Sequence, residues 1–237
     1  MPQPRRFLTA NWQWLAMLNY EVEPATLLPF VPAGTELDIF DGIAYASVVG
    51  FLFRDTRVLG IPVPLHRDFE EVNLRLYVRR RAPEGWRRGV VFIKEIVPRR
   101  FIAAIARTVY GENYVRFPMR HRLDGALASY EWCVRGCWNG LRVRASGDPA
   151  LPAAGSAEEF ITEHYWGYTA QRRGPSLEYR VEHAPWRVFQ VAEASLTCDA
   201  AALYGPAFAE VLSQPARSAF LAEGSPVTVY RGAKIDA

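Results

Sequence analysis

Lysine is almost missing from this chain of 237 residues. Of its 28 basic residues only Lys94 and Lys234 are lysines, and the rest are arginines. Chemistry that needs a primary amine is therefore restricted to those two side chains and the amino terminus, because a guanidinium stays protonated. Cysteine is also scarce. Cys133, Cys137 and Cys198 form an odd set without zinc-ligand spacing, and read as free thiols. The histidines His66, His121, His164 and His183 show no paired spacing, so neither a metal site nor a cofactor is expected. No apolar run approaches the length of a membrane span. The segment MPQPRRFLTANWQWLAML carries two arginines, but Asn11 and Gln13 interrupt its apolar run and no small-residue cleavage site follows. A cytoplasmic chain without a membrane partner is the expectation. A net charge of +3 is too small to imply nucleic acid. The densest basic run, RRRAPEGWRR (79–88), centres on Pro-Glu-Gly and reads as a solvated hairpin.

What is present is core-forming material. Half the residues are hydrophobic and 13% are aromatic, while 17 glycines and 17 prolines serve as turn punctuation. No repeat or linker divides the chain, so one domain over 1–237 is expected. WQWLAMLNYEV, GIAYASVVGFLF, GVVFIKEIV, YVRFPMRHR, ALASYEWCVRG, CWNGLRVRAS, LEYRVEHA, WRVFQVAEASL and SPVTVYRG read as strands. Helical spacing of Ile102, Ile105, Ala106 and Val109 predicts a helix over 99–111. Ser156 with Glu159 makes a capping box for a short helix, and AALYGPAFAEVL is a helical segment bent at Gly205-Pro206. The fold class is mainly β with a few helices, its sequentially adjacent strands pairing antiparallel in a closed or strongly curled sheet.

The stretch HRDFEEVNLRLYVRRR (66–81) raises the functional question. As a strand it sends Val72, Leu74, Leu76 and Val78 to one face, and Phe69, Glu71, Asn73, Arg75 and Tyr77 to the other. A barrel would turn that polar ladder inward around a ligand; an open antiparallel sheet would leave it in water. In VVFIKEIV the same alternation places Lys94 with Val90, Phe92 and Ile96, and Glu95 with Val91, Ile93 and Val97. A lysine in apolar company becomes nucleophilic, or else pairs with a carboxylate. EHYWGYT (163–169) is a second cluster, in which His164 and Tyr168 add polar handles to large rings.

The order of FLTANWQWLAMLNYEVEP, FDGIAYASVVGFLF, HRDFEEVNLRLYV, GVVFIKEIVPRR, ARTVYGENY, EHAPW and LYGPAF resembles the YqjF-like family of bacterial proteins over residues 5 to 230. That family is in turn remotely similar to acetoacetate decarboxylase, a curled antiparallel β-barrel with a ligand cavity. The decarboxylase forms a Schiff base on a lysine whose neighbouring lysine depresses its pKa. Phe69-Glu70-Glu71 resembles the aromatic-x-Glu motif of that enzyme, which implies an active-site role for Glu71. RTVYGENYV resembles its Arg-Glu-x-x-Gly-x-Pro-Lys-Lys segment: Arg107 and Gly111 match, Asn113 stands at the proline, Tyr114 at the Schiff-base lysine and Val115 at its partner. The resemblance thus implies the cavity without the nucleophile. Glu71 and Tyr114 are the expected acid-base or hydrogen-bonding pair. Asn73, Arg75, Tyr77, Arg107, His164 and Tyr168 are the expected ligand contacts. The expected partner is a small organic acid or carbonyl compound, with a homo-oligomer also compatible. A non-imine lyase, hydratase or isomerase, and an interaction module with a filled pocket, are the rival readings.

Overall fold

The computed structural model describes residues 5–63, 67–98, 113–171 and 174–235. His66, Arg107 and the helix expected over 99–111 lie outside the described residues. The first half of the chain contains β1 (Arg6–Glu21), the short helix α1 (Pro24–Leu27) with a 3-10 turn behind it, and β2 (Glu36–Leu37). It continues through β3 (Tyr45–Val58), β4 (Ile61–Pro62), β5 (Phe69–Ala82) and β6 (Gly85–Val97). Next come β7 (Tyr114–Arg116) and an antiparallel meander of β8 (Met119–Asp124), β9 (Leu127–Val134) and β10 (Cys137–Ala150). The rest comprises α2 (Ala157–Thr162), β11 (Trp166–Thr169), β12 (Ser176–His183), β13 (Val188–Thr197), α3 (Ala200–Tyr204), α4 (Pro206–Ser213), β14 (Ser218–Tyr230) and β15 (Ala233–Ile235).

The expected turn residues do the expected work. Asp41 and Gly42 both adopt positive φ, and Phe40 and Ile43 exchange backbone hydrogen bonds across them. Ser156 caps α2 by accepting from the Glu159 amide at 3.1 Å, and the Glu159 carboxylate returns to the Gly155 amide. Gly205 separates α3 from α4 at φ 93°, with Pro206 opening the second helix.

Seven strands close a barrel: β1, β3, β5, β6, β11, β12 and β14 follow one another, and β12 pairs with β14 through Val181 and Val229 to complete the ring. Only the β6–β11 junction within the ring is parallel. There the backbones approach closely, since a Cβ on Gly89 would stand 2.5 Å from the Trp166 carbonyl oxygen, and the β11–β12 pairing beside it is as tight. A Cβ on Gly167 would stand 2.1 Å from the ring of its cross-strand partner Tyr179, so glycine is required.

From β14 the sheet runs on through β13, β10, β9 and β8, and this wing folds over the outside of the barrel. Its Tyr130, Trp132, Leu141 and Val143 pack with Val72, Leu74 and Leu76 of β5, all fully buried. Each such side chain contributes about 1.5–3 kcal/mol on burial, so this outer core fixes the register of β5. Once that face is taken by hydrocarbon, the alternate residues of β5 have only the barrel interior to occupy.

The basic run of 79–88 is largely neutralised within the fold. Arg79 reaches Glu36, Arg80 and Arg87 reach Glu178, and Arg88 reaches Asp38, while Arg79 and Arg81 flank the Trp86 ring. No helix among the described residues is long and apolar enough to cross a membrane.

Candidate functional site

The barrel interior holds a cavity of about 110 Å³. That is on the scale of a single small organic molecule, since a cavity of about 150 Å³ accommodates benzene. Trp12, Phe51, Phe53 and Phe69 supply part of an aromatic wall. His183 stacks on Trp186 at 4.2 Å and extends that wall. The opposing polar wall is built from β5, and Glu71, Asn73 and Arg75 all line the space.

Glu71 is 2% exposed. Burial pushes its carboxyl up to about 7, against the opposing pull of hydrogen bonds from Asn73 and Tyr114 and the charge of Arg75. Asn73 Nδ2 donates to Oε1 at 3.0 Å, and the Tyr114 phenol donates to Oε2 at 3.3 Å. Tyr114 arrives there because β7 runs parallel to the end of β6, in register Glu95↔Tyr114, while Glu95 also pairs with Asn73. Asn73, Glu95 and Tyr114 therefore form one row across three strands.

Arg75 is held differently. Its Nε donates to the Tyr77 hydroxyl at 3.3 Å, and Nη2 meets the Met17 sulfur at 3.7 Å. Ser47 Oγ lies 2.7 Å from the same phenol and donates to Asn19 Oδ1 at 2.6 Å, so the Tyr77 proton is directed to Ser47. This relay leaves the phenolic oxygen to receive Arg75. No carboxylate among the described residues is in ion-pair contact with the guanidinium. A buried cation thus faces the cavity without a counter-ion at contact distance.

His164, on the link between α2 and β11, also lines the cavity. Its Nε2 lies 3.2 Å from Asp38 Oδ2, which also accepts Arg88 Nε at 2.7 Å. Burial drives His164 down to about 4 despite the Asp38 hydrogen bond. Burial would raise Asp38, but hydrogen bonds from His164 and Arg88 and the Arg88 charge hold it below the ordinary range.

The cavity wall therefore includes Glu71, Asn73, Arg75, Tyr114 and His164. Tyr77 stands behind Arg75 as its support and is absent from the wall itself. Tyr168 requires a correction: its ring belongs to the outer core and its hydroxyl donates to the Arg87 carbonyl at 3.1 Å. Alternation along β11 explains this: Trp166 and Tyr168 share one face and both pack against that outer core, while the intervening Gly167 crosses Tyr179, which lines the cavity. Arg107 lies outside the described residues.

Lys94 and Glu95 exchange the places that strict alternation gives them. The register steps from Leu74↔Lys94 to Arg75↔Phe92, so Ile93 is the extra residue of a β-bulge. Phe92 and Glu95 both line the cavity, whereas the Lys94 amine donates to the Leu203 carbonyl on the outer side. Sequence reading does not assign Glu95, Trp12 or His183 to the cavity, nor Asp38 to its place behind His164. Asp38 in particular had no local signal, since its histidine is 126 positions away.

The family model DUF2071, described as "Uncharacterized conserved protein (COG2071)", matches residues 9–226. The uncharacterized protein YqjF of Bacillus subtilis (strain 168) is 27% identical over 197 residues, covering 79% of this chain and 76% of that protein. The acetoacetate decarboxylase of Legionella pneumophila superposes with a TM-score of 0.71 at 12% identity, covering 100% of this chain and 92% of that one. The enduracididine biosynthesis enzyme MppR, complexed with pyruvate, gives 0.70 at 13% identity over 100% and 92% of the two chains. An acetoacetate decarboxylase-like enzyme from Sphingomonas wittichii RW1 gives 0.66 at 12% identity, over 97% and 93%. At such identities the structures share a fold and nothing finer. By the span of the match, the chain belongs to the DUF2071 family, and its closed barrel has the acetoacetate decarboxylase fold.

Proposed function

We propose that this barrel binds a small organic acid or carbonyl compound in its interior, with the anionic group of the ligand on Arg75. The carrying observation is the guanidinium itself: buried, lining a cavity, and without an ion pair among the described residues. A charge in low dielectric is costly unless paired, and an incoming carboxylate supplies the pair with two parallel hydrogen bonds. The aromatic wall takes the apolar body of the ligand. The structurally similar MppR carries pyruvate, a compound of this size and charge.

Imine chemistry is not part of the proposal. Lys94 is engaged outside the cavity, Lys234 lies on β15 opposite Leu177, and Tyr114 stands where the resemblance puts the Schiff-base lysine. Native mass spectrometry of gently purified protein tests the reading: a retained carboxylate-bearing molecule is expected, and an empty wild-type protein that also ignores a panel of short acids would overturn it.

A second reading is favoured by one contact. A carboxyl raised to about 7 and hydrogen-bonded to a phenol can exchange a proton near neutrality, which suits a lyase, hydratase or isomerase. Turnover on keto and enoyl acids that disappears in both Glu71→Gln and Tyr114→Phe would establish it. A purely structural interaction module, its pocket filled by its own side chains, is disfavoured by the cavity that the side chains leave between the aromatic wall and Glu71, Asn73 and Arg75.

A further inference from the structure

The proton of His164 is fixed by what stands behind it. Asp38 Oδ2 receives Arg88, and Arg79 lies 4.0 Å from the other oxygen, so two guanidiniums keep Asp38 ionised. A carboxylate accepts, and Nε2 of His164 must therefore be the protonated nitrogen. The ring is neutral near pH 7 because its burial opposes a second proton. Packing against Tyr77 at 4.8 Å and edge-on to Phe160 at 5.1 Å leaves it little freedom to turn. Nδ1 is then a bare lone pair.

That lone pair is buried, has no hydrogen-bond partner among the described residues, and belongs to a side chain that lines the cavity. The side chain is 2% exposed. Asn73 presents a second such acceptor: Nδ2 is committed to Glu71, while Oδ1 is buried without a partner among the described residues. Along β5 the order is Asn73, Arg75, Tyr77, with His164 against the Tyr77 ring. Alternate residues of a strand are roughly 7 Å apart, so Asn73 and Tyr77 flank the cation on β5, and His164 reaches that neighbourhood by packing on the Tyr77 ring.

A simple carboxylate would satisfy Arg75 and leave both acceptors bare. We propose that the ligand is a hydroxy acid, with its carboxylate on Arg75 and its hydroxyl donating to Nδ1 of His164. This rests on the anion-binding reading above and adds the donor that reading lacks. An ammonium donor fits poorly, since it would sit beside the Arg75 charge.

The ligands themselves provide the test, without altering the protein. Calorimetry would compare lactate and 3-hydroxybutyrate with propionate, butyrate and the O-methyl ethers of the two hydroxy acids. At least one hydroxy acid should bind roughly tenfold to a hundredfold tighter than its deoxy parent and its ether, because each of those leaves the lone pair dry. In His164→Phe the preference for the hydroxy acid over its deoxy parent should vanish. His164→Asn, which restores an acceptor near Nδ1, should recover part of it. Equal binding by hydroxy acid, ether and deoxy acid would overturn the hydroxyl assignment and leave the anion site standing. Failure of every acid to bind would overturn both. Nitrogen-15 spectra of the free protein should show His164 protonated on Nε2; protonation on Nδ1 would also overturn the assignment.

Discussion

Tyr114 and Glu71, 43 positions apart, meet at the cavity wall through a phenol-to-carboxylate hydrogen bond of 3.3 Å. Parallel pairing of β7 with the last residues of β6 brings them together, because it carries Tyr114 into the row of Glu95 and Asn73. Behind that contact lies a carboxyl that binds its proton more tightly when the protein is folded.

Glu71 has a folded pKa of about 7 against an ordinary value of 4.5. Folding therefore takes up a proton between those values, and the contribution of Glu71 to stability is lost as pH rises through that window. Glutamine keeps an oxygen for Tyr114 but cannot titrate. Urea unfolding of wild type and Glu71→Gln at pH 5 and pH 8 should show the variant gaining on wild type at pH 8, by on the order of 2–3 kcal/mol. A difference between the two proteins that does not change with pH would contradict the raised pKa. His164 acts in the opposite sense: lowered to about 4, it costs stability as pH falls below its ordinary 6.5, and is common to both proteins.

Gly167 lies under the Tyr179 ring in the β11–β12 pairing of the barrel. Gly167→Ala should cost about 1–3 kcal/mol, since neither the backbone nor the buried ring has room to give. A chemical denaturation midpoint matching wild type would show that the β11–β12 junction is looser than described.

Borohydride added with acetoacetate or pyruvate should leave the mass of the protein unchanged. The Lys94 amine is tied to the Leu203 carbonyl, and no lysine lines the cavity. A stable adduct mapping to Lys94, absent in Lys94→Arg, would place an amine within reach of the ligand after all.

The sequence makes β5 legible because its two faces differ so sharply: hydrocarbon at Val72, Leu74 and Leu76, hydrogen-bonding groups at Glu71, Asn73 and Arg75. Turns that depend on Asp41-Gly42 and Gly205-Pro206 are legible for the same local reason. What alternation cannot anticipate is its own interruption. The bulge at Ile93 reverses Lys94 and Glu95, and a second register shift in β1 between Gln13 and Ala16, with Trp14 at φ 55°, lets Trp12 and Leu15 both face inward. Nor can one stretch reveal a partner on another. The Asp38–His164 pair exists only because β2 docks on β5 while the link after α2 crosses the same end of the barrel. The place of Tyr168 in the outer core is not legible either, because aromatic character does not say which face of a short strand will be covered.

A carboxylate-amide pair tests the proposed place of Arg75 as the partner of a ligand's anionic group inside the barrel. Titration calorimetry with a short hydroxy or keto acid and with its uncharged amide, on wild type and on Arg75→Leu, separates charge recognition from cavity filling. Binding of the acid by wild type is expected, with the amide at least tenfold weaker and the acid's advantage gone in Arg75→Leu. The variant should remain folded, because replacing an unpaired buried charge by hydrocarbon relieves a desolvation cost. Equal affinity for acid and amide in wild type, or an unchanged preference for the acid in Arg75→Leu, would contradict the account.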